Sequence, residues 1–276
     1  MNIASGICRV VLLVLLLPAV SGCPKQTTVW VSRQDHFEVA VEDATGLEAR
    51  SHNGAQSVRG IEDHGNKVIV EAEVEAGGPS HSEAQAALDA IAVSVERKGE
   101  RIDVRWDWTT AKSPEWKSGV GFSIKLPPAL NVKLITHNGG ISVRGVAGNC
   151  TLETHNGAIL ADASGARMSA STHNGDLDIT TTATEVSLNT HNGGVIARLG
   201  AEGDVGGHIT SHNGGIRVKL ADTAAVALDC KTANGRIHCD HNLEQAAVSK
   251  TSLKGFIREG QETLHLETAN GSIKIQ

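Results

Sequence analysis

A four-residue unit, Ser/Thr-His-Asn-Gly, recurs along this chain and constrains its fold more than any other feature, standing at residues 51–54, 136–139, 154–157, 172–175, 190–193 and 211–214. Two relatives, at 232–235 and 268–271, carry Ala in place of His. From Asn138 onward the Asn-to-Asn steps are 18, 18, 18, 21, 21 and 36, and a degenerate copy, Ser252-Leu253-Lys254-Gly255, divides the last step into 20 and 16. Periods near 20 residues belong to solenoids and related arrays, in which each unit buries its apolar face only against its neighbours.

Aligned on the corners Asn53-Gly54, Asn138-Gly139, Asn156-Gly157, Asn174-Gly175, Asn192-Gly193, Asn213-Gly214, Asn234-Gly235 and Asn270-Gly271, the columns separate by chemistry. Four residues before Asn come Ala49, Leu134, Leu152, Ala170, Leu188, Ile209, Cys230 and Leu266; two before is always Ser or Thr. Three after come Ile141, Ile159, Leu177, Val195, Ile216, Ile237 and Ile273, with Gln56 as the exception. Such period-two alternation on both sides of a corner predicts two strands, each burying one face. Asn and Gly are expected to supply a positive backbone φ there. Two all-β architectures fit: a β-solenoid with identical corners stacked coil on coil, and a meander of antiparallel hairpins turning at each Asn-Gly. Stacking of Asn amides and Thr hydroxyls along an axis favours the solenoid.

With 3% aromatics and 30 Gly in 276 residues, the core has to be built from Val, Ile, Leu and Ala. The net charge of -6, with no Lys/Arg run, argues against nucleic acid as a partner. Residues 1–22 hold Arg9, an apolar run from Val10 through Leu17 and a small-residue end, a secretory signal too short to span a membrane comfortably. Its junction, Val20-Ser21-Gly22-Cys23, resembles a bacterial lipoprotein box, which implies lipidation of Cys23, a mature chain starting there and a membrane anchor. Pro24, rather than Asp, leans toward the outer membrane.

The expected organisation is a signal over 1–22, a lipidated linker over 23–36, and a repeat domain over 37–276, with 37–130 as an irregular cap and 131–276 as regular repeats. Within the cap, alternation predicts strands around Phe37, Val70, Val93, Val104 and Ile124, and an Ala-rich helix from Ser82 to Ala90. The whole pattern, Thr-x-Asn-Gly-x-Ile at steps of 18 to 21 behind a signal, resembles the bacterial "putative adhesin" family of β-strand-repeat domains of unknown function, over roughly 37–276. That resemblance implies a right-handed β-solenoid and a cell-envelope setting, with no reaction and no catalytic residues. The departure is His before Asn in six of the eight copies.

These histidines, His52, His137, His155, His173, His191 and His212, have outward parity. In a solenoid the last five form a ladder with rungs ~4.8 Å apart, on which neighbouring neutral imidazoles could converge on Zn2+ or Cu2+. Glu153, Asp176, Asp178, Glu185 and Asp229 fall in different columns and mark no carboxylate pair of a polysaccharide-active β-helix. Cys230 and Cys239 occupy paired inward columns around Asn234, so a disulfide across one coil is expected, with Cys150 a core thiol. The functional expectation is a non-catalytic envelope lipoprotein without a cofactor that binds, adheres or scaffolds, its partners being envelope or surface proteins or polysaccharide. Surface metal binding through the His column is the alternative, and a polysaccharide-active enzyme is the next.

Overall fold

The computed structural model describes residues 28–62 and 65–276. The signal segment and Cys23 lie outside the described residues. Each regular repeat gives one strand to each of two sheets. Cys150–Asn156 runs into a corner and Ile159–Ala163 leaves it; the next repeat supplies Arg167–Asn174 and Leu177–Thr181. Pairing is parallel and in register between repeats: Leu152↔Ala170, Thr154↔Thr172 and Asn156↔Asn174 in one sheet, Ile159↔Leu177 and Ala161↔Ile179 in the other. The two strands flanking an Asn-Gly corner therefore belong to different sheets, which removes the hairpin meander.

The result is a thirteen-stranded and an eleven-stranded sheet enclosing one continuous core. Leu152, Leu177, Ile179 and Leu188 are 0–1% exposed. Each such side chain contributes about 1.5–3 kcal/mol by leaving water. The Ser/Thr column is also buried, and its hydroxyls are satisfied across coils: Thr154, Thr172 and Thr190 donate to the carbonyls of Gly139, Gly157 and Gly175 at 2.8–2.9 Å. Gln56 fills its inward column at 1% exposure by donating its amide to the Ile135 carbonyl at 2.8 Å.

The corner glycines are needed for a reason other than the expected one. Of the eight, only Gly54 has a positive φ, and no corner Asn does. What excludes a side chain is the neighbouring coil: a Cβ on Gly157 would lie 2.2 Å from the Gly139 carbonyl oxygen, and one on Gly193 2.0 Å from that of Gly175. Backbone stacks on backbone at this edge.

The order of the coils departs from the order of the sequence at both ends. Gly46–Arg50 and Gln56–Gly60 sit between the Asn131–Ile135/Ile141–Val146 coil and the strands Arg101–Trp108 and Lys117–Leu126. At the other end, Thr263–Asn270 inserts between Gly206–Asn213 and Ala224–Thr232, and Ile273–Ile275 between Ile216–Leu220 and Ile237–Cys239. The degenerate copy at 252–255 is accordingly no corner: Ser252–Ile257 runs antiparallel to Ala224–Thr232.

Antiparallel strands finish the stack. Val29–Ala40, Lys67–Gly78 and Lys117–Leu126 extend the eleven-stranded sheet, while Ile91–Lys98 and Arg101–Trp108 form a hairpin on the other. The one helix among the described residues, His81–Asp89, starts at Ser80, whose side chain accepts from the Glu83 amide, and buries Ala84, Ala87 and Leu88. It packs where Arg33 crosses to it, donating to the Leu88 and Ile91 carbonyls and to Asp35.

Candidate binding edge and groove

Stacked corners turn the repeat into a surface. Along one edge the Asn side chains form an unbroken ladder, each Nδ2 donating to the Oδ1 of the preceding coil: Asn138 to Asn53, Asn156 to Asn138, Asn174 to Asn156, Asn192 to Asn174, Asn213 to Asn192, Asn270 to Asn213 and Asn234 to Asn270, all at 2.6–2.8 Å. At the far end Asn53 donates to the Ser118 carbonyl at 3.2 Å. Beside this ladder stands a second one of exposed rings, His52, His137, His155, His173, His191 and His212, with centroids 4.7–4.9 Å apart.

The predicted column thus exists, as a stack of rings. From His155 to His212 successive rings are within 5° of parallel. Imidazole lone pairs lie in the ring plane, so parallel stacked rings aim their nitrogens side by side and not at a common point. Among the described residues no group of three or more His, Cys, Asp or Glu is placed to share a metal ion.

The stack does bear on pH. Loss of water around His191 lowers its pKa below the ordinary histidine value, and the charges that His173 and His212 would carry lower it further. A depressed folded-state pKa means the unfolded chain takes the proton more readily. The stabilisation is complete above the ordinary value near 6.5 and is lost as pH falls through the folded value. Urea midpoints measured from pH 7.5 down to 5 are expected to fall, and His191→Asn to flatten part of that fall; a midpoint as high at pH 5 in the parent as at pH 7.5 contradicts it.

The carboxylates named from the sequence are not brought together. Asp176 accepts from the Gly194 amide at 2.7 Å, Asp178 pairs with Arg198, Glu185 with Arg167 at 2.8 Å, and Asp229 with Lys254 at 3.2 Å, while Glu153 stands on Cys150–Asn156. Nor is the expected disulfide formed: Cys230 and Cys239 are free thiols, as is Cys150. Cys230 is sealed in the thirteen-stranded sheet, whereas Cys239 lies on the edge strand of the other sheet and turns its thiol to the His241 carbonyl at 3.9 Å. Burial pushes the Cys150 and Cys230 thiols up to about 12, and also raises Cys239, which is only half-buried. Alkylation of the native protein is expected at Cys239 first, with Cys150 and Cys230 protected until unfolding. A peptide linking 230 to 239 on non-reducing mapping would reverse this.

The sequence did not announce the groove into which the corner edge runs. It covers about 830 Å3 on the outer face of the eleven-stranded sheet. Three strands cross it in rows: Trp30, Gly77 and Lys117; Ser32, Glu75 and Gly119; Gln34, Glu73 and Gly121; His36, Glu71 and Ser123. Gly119 and Gly121 alternate with the buried Val120 and Phe122, so the floor is bare backbone, and Asn53, Gly54 and Ala55 form the side that meets the ladder. Two indoles close one end. Trp30, 49% exposed, lies over Gly77, where an added Cβ would come within 3.1 Å of its ring. Trp116 stacks on Trp108 at 5.7 Å and donates its indole N–H to Glu83 at 2.9 Å. The available signal was compositional: all four Trp fall between residues 30 and 116.

A family profile described as Toastrack DUF4097 matches residues 129–276, more than half of the chain. The chain belongs to the Toastrack DUF4097 family. The Toastrack match takes in the regular coils and leaves the groove residues, 30–123, outside it. No curated protein matches the chain. Among solved structures, it is similar to a "putative adhesin" of Parabacteroides distasonis (10% identity, 88% of this chain and 97% of that one, TM-score 0.49). It is also similar to a "putative adhesin" of Bacteroides fragilis (11%, 88% and 97%, 0.40) and a "putative cell adhesion protein" of Clostridium sporogenes (12%, 88% and 98%, 0.36).

Proposed function

We propose that this Toastrack protein is a non-catalytic binding and scaffold module of the bacterial cell envelope, held in the outer membrane by acyl chains on Cys23. The observation that carries the binding reading is the continuous corner edge, where eight Asn are linked side chain to side chain and end at an open groove. An edge tied by hydrogen bonds at every coil presents its exposed groups at fixed spacing, so a partner meets little conformational entropy to remove. The coils wind right-handed in this reading, as parallel β-crossovers do almost without exception. The anchor is supported by Val20-Ser21-Gly22-Cys23 behind an apolar run. Engagement of Asp176, Asp178, Glu185 and Asp229 by separate partners supports a surface without turnover.

The test of the anchor is Cys23→Ser with an acyl-chain probe and envelope fractionation. The variant is expected to lose all label and move from the membrane to the soluble envelope fraction, because no other acyl-bearing position is proposed. Equal labelling and equal membrane retention of the variant would refute the anchor. For the module itself, the soluble Cys23→Ser chain is expected to bind isolated envelopes saturably; purely linear, unsaturable uptake would refute it.

A further inference from the structure

We infer that the groove between Trp30, Trp116 and the Asn53 corner is a binding site for a neutral glycan. This deepens the binding-module reading, on which it rests, and gives it a ligand class.

Three independent features select a sugar. Trp116 is held before any ligand arrives, by Trp108 behind it and Glu83 at its N–H, and the half-exposed Trp30 ring lies over Gly77. A pre-positioned indole offers a broad apolar face at low entropic cost, which suits the C–H face of a pyranose ring. The floor at Gly119 and Gly121 has no side chains of its own, so a flat ring can settle there beside the Glu75 carboxylate that reaches Gly119, and the rows from Lys117 to Ser123 give it a length of about 20 Å. Along the wall, Gln34, Glu71, Glu73 and Glu75 provide the acceptors that ring hydroxyls require.

Other occupants fit less well. The floor strand Lys117–Leu126 pairs with Lys67–Gly78 on one side; on the other, Gln56–Gly60 takes Phe122–Leu126 and the Val120 and Phe122 amides donate to the Asn53 and Ala55 carbonyls, so within the floor a peptide finds this backbone already engaged. Three carboxylates against Lys112 and Lys117 leave the lining net negative, on a chain of net charge -6, which disfavours acidic polysaccharide.

The full chain is titrated with cellotetraose, chitotetraose and maltotetraose, and with polygalacturonate as the polyanion, following tryptophan fluorescence and heat. At least one neutral tetrasaccharide is expected to bind and to be recovered unchanged, with polygalacturonate silent. Trp30→Ala is expected to weaken binding about tenfold, the equivalent of 1.4 kcal/mol. Gly119→Leu fills the floor: its Cβ meets nothing closer than the Asn53 carbonyl oxygen at 3.4 Å, an ordinary contact, so the backbone has room for a side chain there, and binding should vanish. Circular dichroism confirms that both variants fold. No response to any neutral tetrasaccharide at millimolar concentration, unchanged binding in folded Gly119→Leu, or preference for polygalacturonate would each overturn the proposal. The titration uses isolated protein, so its failure would leave saturable envelope binding and Cys23-dependent retention standing.

Discussion

Gly175→Ala is expected to destabilise the protein by about 3–4 kcal/mol, at the upper end for a single added methyl group. The added carbon would lie 2.1 Å from the Gly157 carbonyl oxygen, 2.5 Å from its carbon and 3.0 Å from the Ala158 nitrogen. None of these is the movable end of a side chain. Retreat of the Gly157 coil is resisted because the Gly157 amide donates to the Asn174 carbonyl and the Thr172 hydroxyl donates to the Gly157 carbonyl, at 3.0 and 2.9 Å. Gly194→Ala, just past the corner of the next repeat, is the matched control: its nearest contacts are 3.5 and 3.8 Å, and its φ is not positive. There the reduced freedom of the unfolded chain makes the change neutral or slightly stabilising. Urea unfolding followed by circular dichroism separates the two; equal midpoint losses would mean that backbone stacking at this edge is not what the glycine serves.

This pair also shows what the sequence could and could not reveal. Positive φ and close backbone approach both demand the absence of a Cβ, so an aligned Gly column is the same in either case. Only the distance to the next coil distinguishes them. The inward columns were legible because Leu152, Thr154, Ile159 and Ala161 obey a period of two that burial enforces; the helix was legible to within a residue at each end because its Ala-rich run, with Glu83 near the start, stands between two alternating segments. The His ladder followed from parity and spacing alone, but the parallel setting of its rings depends on side-chain torsions. Trp30 and Trp116 come from distant segments and reach one groove only because Val29–Ala40 and Lys117–Leu126 flank the same strand, Lys67–Gly78. No local pattern encodes that placement.

Spatial coil order was the least legible property, and it yields the second large effect. Removing residues 263–276 is expected to unfold more of the chain than it deletes. Had the coils stacked in sequence order, these residues would form an outer layer, and their loss would fray one end. They lie inside the stack instead. Thr263–Asn270 pairs with Gly206–Asn213 on one side and Ala224–Thr232 on the other, and Asn270 bridges Asn213 and Asn234 in the ladder. Leu264, Leu266, Ile273 and Ile275, each 0–1% exposed, would be lost from the core together. At about 1.5–3 kcal/mol apiece their gross contribution is about 6–12 kcal/mol, comparable to the whole stability of a typical domain. Hydrogen exchange on the shortened chain should show residues 224–257 unprotected while Cys150–Asn156, Ile159–Ala163 and Arg167–Asn174 keep parental protection. One competing outcome is physically reasonable: Thr232 and Asn234 match Ser211 and Asn213 column for column, so Ala224–Thr232 could close directly onto Gly206–Asn213. Parental protection across 224–257 in the shortened chain would establish that closure and show the interposed coil to be dispensable.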